Sequence, residues 1–446
     1  MTRIALTELR RSNALAMAAL IVAVSVAALA TAVDLWLREW LKFTYNHATA
    51  LFILVPLAMA GGAMLGRRER RTRAEELIAS TGRPRWQRIT PTAVAIAVAV
   101  AVAHLLVLTA GGILLAQTAS YLSAGELLVP LTDVVILIGG AWLGLAAGRA
   151  WSSPLVPPAL AVVSLVVQVG LTEISLDVTR LDNLALIVQP PSYDWEAVNG
   201  RAVLGHLALG AGLAAAGFLL AAAKSWRPRV AAVAVLAVAT MTAAMVPGVG
   251  MAARYHVDTA AQRLVCADGT PQVCVTAVHA FALAQAAPDV RRALGLLTKL
   301  PGAPQRAVEW RADSVYEPGS AESEPPAVPV APGTVQFELD LDGRQSDPHL
   351  VESIVYGGGI FRGGCAEGVG VAESAAGAWL MGTDDLVLDD GGFGYDEEWH
   401  AQIRDTVRKL RSLPEEEQTR RVTALRDAAA ACRTDLLPIL TGETHS

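Results

Sequence analysis

The chain has 446 residues and a formal net charge of −6, with 53% hydrophobic and 17% charged residues. This composition, gathered into several long apolar blocks, excludes an ordinary soluble enzyme and indicates an integral membrane protein. The basic clusters are short and adjoin the apolar blocks, which excludes a nucleic-acid binder.

Thr2 to Asn13 reads as an amphipathic helix, with Ile4, Leu6 and Leu9 in the headgroup layer and Arg3, Arg10 and Arg11 in cytoplasmic water. The first span is Ala14 to Val33. Its small residues ALATA would also suit signal-peptide cleavage, but the length of the apolar run favours a retained helix. The loop Asp34 to His47 carries Trp36, Trp40, Phe43 and Tyr45, an aromatic set that marks the outer interface. Span two runs from about Ala48 to Gly66.

Arg67 to Arg88 follows, with eight arginines against three glutamates. Arginine is held back during insertion, so this loop is expected in the cytoplasm, with the amino terminus. Ala74 to Thr81 forms a short helix with Glu75 and Glu76 near its positive end, and Gly82 and Pro84 stop it. Two readings stand: a docking element for a partner, or a basic loop that only fixes topology.

Span three is Pro91 to Leu115, with His104 at its centre. An ionisable group at that depth is either functional or a neutral histidine hydrogen-bonded to a neighbouring helix. Span four, Leu128 to Gly148, carries Gly140, Gly144 and Gly148 at every fourth residue. That spacing suits close helix packing, either between two subunits or inside one. Asp133, near the outer end, reads as interfacial. Span five is Leu155 to Leu171. Thr172 to Gly200, with five acids and one arginine, reads as short external helices on Ile174, Leu176, Leu181, Leu184 and Ile187. Spans six (Arg201 to Ala223, with His206) and seven (Val230 to Val249) are separated by Lys224, Arg227 and Arg229. The count gives seven spans, amino terminus inside and carboxyl terminus outside, in the cell membrane.

Residues Met251 to Ser446 are long enough for a separate, mostly helical α+β extracellular domain. Cys274 to Leu300 reads mainly as helix, Arg306 to Arg311 and Val335 to Leu341 as strands, and Tyr316 to Gly333 as a flexible proline-rich loop. Gly357 to Gly359 and Gly363 to Gly364 read as tight turns. Helices are expected over Val369 to Met381, Glu397 to Leu410 and Pro414 to Thr434. All four cysteines lie in this domain, and the preferred pairing is Cys266–Cys274 and Cys365–Cys432. Zinc is the competing reading, without a matching spacing. The acidic run Asp384, Asp385, Asp389, Asp390, Asp396, Glu397 and Glu398 lacks EF-hand spacing and reads as a solvated loop. With no G-x-S-x-G, H-E-x-x-H or Walker A motif, the chain is expected to be a non-catalytic subunit, and a membrane-bound hydrolase is disfavoured.

The order of elements, with ALTELRRSNALA at Ala5 to Ala16 and RRERRTRAEELIASTGRPRWQR at Arg67 to Arg88, resembles the ABC-2 type (type V) exporter permeases over Met1 to Ala223. The resemblance implies a six-span core to which a seventh span adds the external domain. It implies that Arg73, Glu75, Glu76, Leu77, Thr81 and Arg83 contact a cytoplasmic ATPase subunit through a coupling helix. It also implies that Arg3, Glu8, Arg10 and Arg11 belong to a connecting helix. A second permease subunit, identical or related, is implied too. No cofactor is expected on this chain, since ATP and magnesium belong to the ATPase. The alternative function is a membrane-anchored sensor that binds an extracellular ligand.

Overall fold

The computed structural model describes residues 14–71, 84–175, 180–185, 191–317, 325–339, 341, 347–359, 370–385 and 397–442. The connecting-helix residues Arg3, Glu8, Arg10 and Arg11 lie outside this set. So do Arg73, Glu75, Glu76, Leu77, Thr81 and Arg83 of the expected coupling helix, and Cys365. The chain divides into two compact units: residues 1–261 with 314–325, and residues 262–313 with 326–446.

Among the described residues, the first unit holds seven helices long and apolar enough to cross a membrane. They are α1 (Ala14–Thr31), then, after the short helix α2 (Trp40–Thr49), α3 (Leu51–Arg71), α4 (Arg85–Leu115), α5 (Val129–Ala150), α6 (Val156–Ser175), α7 (Gly200–Ala222) and α8 (Trp226–Met245). The protein is therefore a helical multi-pass membrane protein. Pro91, read from sequence as the start of a span, lies inside α4, whose first turn begins six residues earlier at Arg85.

The bundle core is built on absent side chains. A methyl group at Gly144 would lie 2.0 Å from the Met59 carbonyl oxygen, and one at Gly148 would lie 2.2 Å from that of Ala63. From the other side, Gly62 and Gly66 press on the carbonyls of Ala141 and Leu145. Helices α3 and α5 thus meet backbone to backbone within one chain, which is the close approach that small residues permit in lipid. Gly139, Gly210 and Gly217 repeat the device between α5 and α7.

Hydrogen bonds sort the loops into two ends. At one end Arg67 Nε donates to the Ser152 carbonyl (3.1 Å) and Arg85 Nη1 to that of Ala223 (3.0 Å), so the three basic turns meet. At the other end Lys42 bridges Glu39 (3.0 Å) and Asp194 (3.1 Å), and Tyr121 donates to Asp258 (2.7 Å). There β1 (Glu196–Val198) also pairs antiparallel with β2 (Tyr255–Val257). Residues 251–261, read from sequence as the start of the external domain, therefore pack with the bundle. The aromatic loop also differs from its interfacial reading. Trp36 and Phe43 are buried, and Trp36 Nε1 donates to the Leu29 carbonyl (2.8 Å), because α2 folds inward instead of lying flat.

Glu196 of β1 is 1% exposed, and among the described residues its Oε1 has no hydrogen-bond partner, while Oε2 accepts from the Ser192 amide (2.9 Å). Burial pushes its carboxyl up to about 7, against backbone hydrogen bonds from Ser192, Tyr193 and Tyr316 and with a further push from Asp194. The folded chain therefore holds this proton more tightly than the unfolded chain between its ordinary value of 4.5 and 7. That stability is present in full below the ordinary value and is lost as pH rises through the folded one. Melting temperatures taken across this window should fall with rising pH, and Glu196→Gln should flatten the slope.

In the second unit four strands, β3 (Leu264–Ala267), β4 (Gln272–Thr276), β5 (Arg306–Glu309) and β6 (Thr334–Phe337), form one sheet in that order. The hairpin β3–β4 sets Cys266 opposite Cys274, and the two are disulfide-bonded. Cys274 is thus in a strand and not in a helix: QVCVT is β-branched and buried after its first residue, which favours an extended chain. Helix α9 (Leu283–Leu297) carries the crossover to parallel β5. The remaining helices are α10 (Leu350–Gly359), α11 (Val371–Met381), α12 (Glu397–Arg411), α13 (Glu415–Ala430) and α14 (Leu437–Thr441). Their core centres on Leu294, Ile354, Leu380, Ile403 and Leu425. Gly357 to Gly359 end a helix and do not form the separate tight turn read from sequence, because LVESIVYG buries an apolar face first. Cys432 is also disulfide-bonded.

Asp384, Asp385 and Glu397 of the expected solvated loop are paired, the last with Arg404, while the side chains of Asp384 and Glu397 stay 80% and 83% exposed. Asp385 accepts from His400 Nδ1 (3.0 Å) and Arg404 (3.2 Å), and Asp384 from Arg411 (2.6 Å). Asp389, Asp390 and Asp396 lie outside the described residues.

Candidate functional site

Helix α2 breaks from α1 after a tight stretch and turns the side bearing Leu41, Phe43 and Thr44 into the bundle. The helical spacing then places His47, one turn beyond Phe43, on the same inward face. His47 meets His104 of α4 edge to face, with ring centroids 4.3 Å apart. Asp133, in the second turn of α5, faces the same rings: its Oδ2 lies 3.9 Å from His104 Nε2. His47 and His104 are fully buried and Asp133 is 4% exposed.

Among the described residues, neither ring nitrogen of either histidine has a hydrogen-bond partner, and neither does Asp133 Oδ2. His104 is not tied by a hydrogen bond to a neighbouring helix. Asp133 is not interfacial, because α2 packs across the start of α5 and removes it from the surface. Leaving such groups buried and unpaired is costly, and in a membrane unit it marks a working site.

Asp133 also lines a cavity of about 80 Å³, with room for several waters. The polar side of its wall is Thr44, Tyr45, Thr132, His206, Arg254 and Tyr255. The cavity sits between α2 and the starts of α3, α5 and α7, at the end of the bundle opposite the basic turns. His206 is a separate element of the wall: it bonds the Ala185 backbone, while its buried Nε2 has no partner among the described residues. Asn183 holds the rim by donating to the Gly248 carbonyl (2.8 Å).

The structure thus joins His104 and Asp133, and brings to them His47, which sequence reading left unremarked in an aromatic loop. The signal that could have found it is an ionisable residue in a segment whose other inward positions are apolar. Gly140, Gly144 and Gly148 follow Asp133 at helical spacing along much the same side of α5, in the seam with α3. Two imidazoles and a carboxylate with their lone pairs turned together can hold a proton or a cation. No protein-family model, curated protein or solved structure matches the chain.

Proposed function

We propose that the chain is the membrane-embedded permease subunit of an ATP-driven exporter of a hydrophobic or peptide-like substrate. A separate cytoplasmic ATPase supplies the hydrolysis. The observation that carries this reading is the polarity of the bundle: basic turns gather at one end, and a partly polar cavity opens within the protein at the other. Retention of arginine on the cytoplasmic face assigns the basic end to the cytoplasm and the second unit to the outside.

The path of force follows from α3. This single helix of 21 residues, about 30 Å long, leads from cavity-lining Leu51 to the basic loop. Its backbone contact with α5 means that a push on Glu75 and Glu76 by a closing ATPase would move α3 and α5 together, and with them the cavity wall. A second permease copy completes the path. The second unit, with its own core, receives or gates substrate. That independent core equally favours the sensor reading, in which this unit binds an extracellular ligand and no ATPase is engaged.

The two readings separate on co-purification. The full-length chain should bring down a nucleotide-hydrolysing subunit and raise its turnover, and Glu75→Arg with Glu76→Arg should remove both effects while the bundle stays folded. A complex without an ATPase, or one indifferent to the double substitution, would reject the permease reading.

A further inference from the structure

We propose that His47, His104 and Asp133 bind one divalent transition-metal ion of the zinc class, with its remaining position facing the cavity. The inference stands apart from the permease reading, since it concerns binding by this chain alone.

Three observations point to it. First, each side chain offers one donor atom within 4.8 Å of the other two. The donors come from three separate elements, α2, α4 and α5, so no local turn or cap explains their meeting. Second, their lone pairs are buried and unsatisfied. A cluster kept only for packing would be better served by apolar side chains, and one kept as neutral polar groups would hydrogen-bond internally. The separation of 3.9 Å between His104 Nε2 and Asp133 Oδ2 is too long for that bond. Third, the donor set is selective. Two imidazoles and one carboxylate suit zinc and its neighbours, whereas magnesium and calcium prefer oxygen alone.

The geometry needs little adjustment. Donor atoms around a tetrahedral zinc ion lie about 3.3 Å apart, given bonds of roughly 2.0–2.2 Å. Closing the His104–Asp133 gap is a matter of side-chain rotation. Asp133 faces both the histidines and the cavity, so the cavity gives the ion an entry path and a place for water or an anionic ligand to complete its shell. Two neutral histidines, one carboxylate and a divalent ion leave one positive charge, which such a ligand would offset. His400, by contrast, is already held by Asp385.

The test uses the purified full-length chain in detergent, stripped with a chelator and then titrated with Zn²⁺ or Co²⁺. Expected are one equivalent of zinc per chain by elemental analysis and a visible cobalt d–d band of the four-coordinate type. His47→Ala and His104→Ala should each weaken zinc binding by at least about 100-fold, a loss no smaller than that seen for supporting residues of metal sites. His400→Ala should leave it unchanged. Should the alanine variants not fold, His47→Gln and Asp133→Asn keep the volume and are expected to lose the metal just as clearly. Absence of a cobalt band, or equal zinc affinity in the wild type and in folded triad variants, would overturn the assignment.

Discussion

Gly144→Leu is expected to abolish a folded, monodisperse bundle, and Gly144→Ala to lower its melting temperature in detergent. Even the single methyl group of alanine would stand 2.0 Å from the Met59 carbonyl oxygen and 2.8 Å from its carbon. Backbone cannot rotate away as a side chain can, so α3 and α5 must separate. Overpacking by one methyl group in a tight core costs about 1–3 kcal/mol. Leucine adds three more carbons at the same place and breaks the contacts along the seam from Met59 to Ala63. Gly170→Ala is the control: nothing lies within 4 Å of that position on α6, and alanine is the better helix former. It should be neutral or slightly stabilising. Thermal melts followed by size-exclusion fluorescence would distinguish the three. If Gly144→Leu behaved as wild type, the seam would not be what holds the bundle.

Glu309→Ala should be the most damaging single change in the second unit. This carboxylate, 2% exposed, ends β5 and ties it to the end of β4. Its Oε2 accepts the Thr276 amide (2.6 Å) and hydroxyl (2.9 Å), and its Oε1 pairs with His279 Nδ1. Removing it leaves three buried polar groups without their acceptor. Leaving a buried donor without its acceptor costs about 1–3 kcal/mol for each group, and the sum is a large share of the stability of an ordinary domain. Glu309→Gln keeps the shape and one acceptor and should lose less. Hydrogen exchange at the Thr276 amide reads the effect locally, and loss of protection should precede global unfolding. An alanine variant with wild-type protection would show that the network carries little.

The spans were legible because lipid imposes a simple requirement: about twenty apolar residues with every backbone group satisfied inside the helix. That condition is written locally. The bounds from Ala14 to Met245 accordingly moved by only a few residues, most at α4, where Arg85 to Thr90 extend the helix beyond the apolar run. The Cys266–Cys274 link was also legible, from a short spacing in an exported-looking segment, although the strands bearing it were not. QVCVT is too short for its periodicity to outvote the helical pattern that follows it. The cluster of His47, His104 and Asp133 was out of reach for a different reason. Each residue has an ordinary local explanation, as loop end, core histidine and helix-end carboxylate. Only the inward fold of α2, set by where Trp36 and Phe43 find apolar neighbours, brings them together.

The two units are not joined end to end. The chain leaves the bundle after Ala261, is back in it at residues 314–317, and continues in the second unit from Pro326. The neck of this excursion is closed by the Asp313 amide on the Pro326 carbonyl (3.0 Å), and within it Glu317 accepts the amides of Met251 (2.9 Å) and Ala252 (2.6 Å). A protease cutting once after Ala261 would therefore not free residues 262–446. The two fragments would migrate together on a native gel and part only in denaturant.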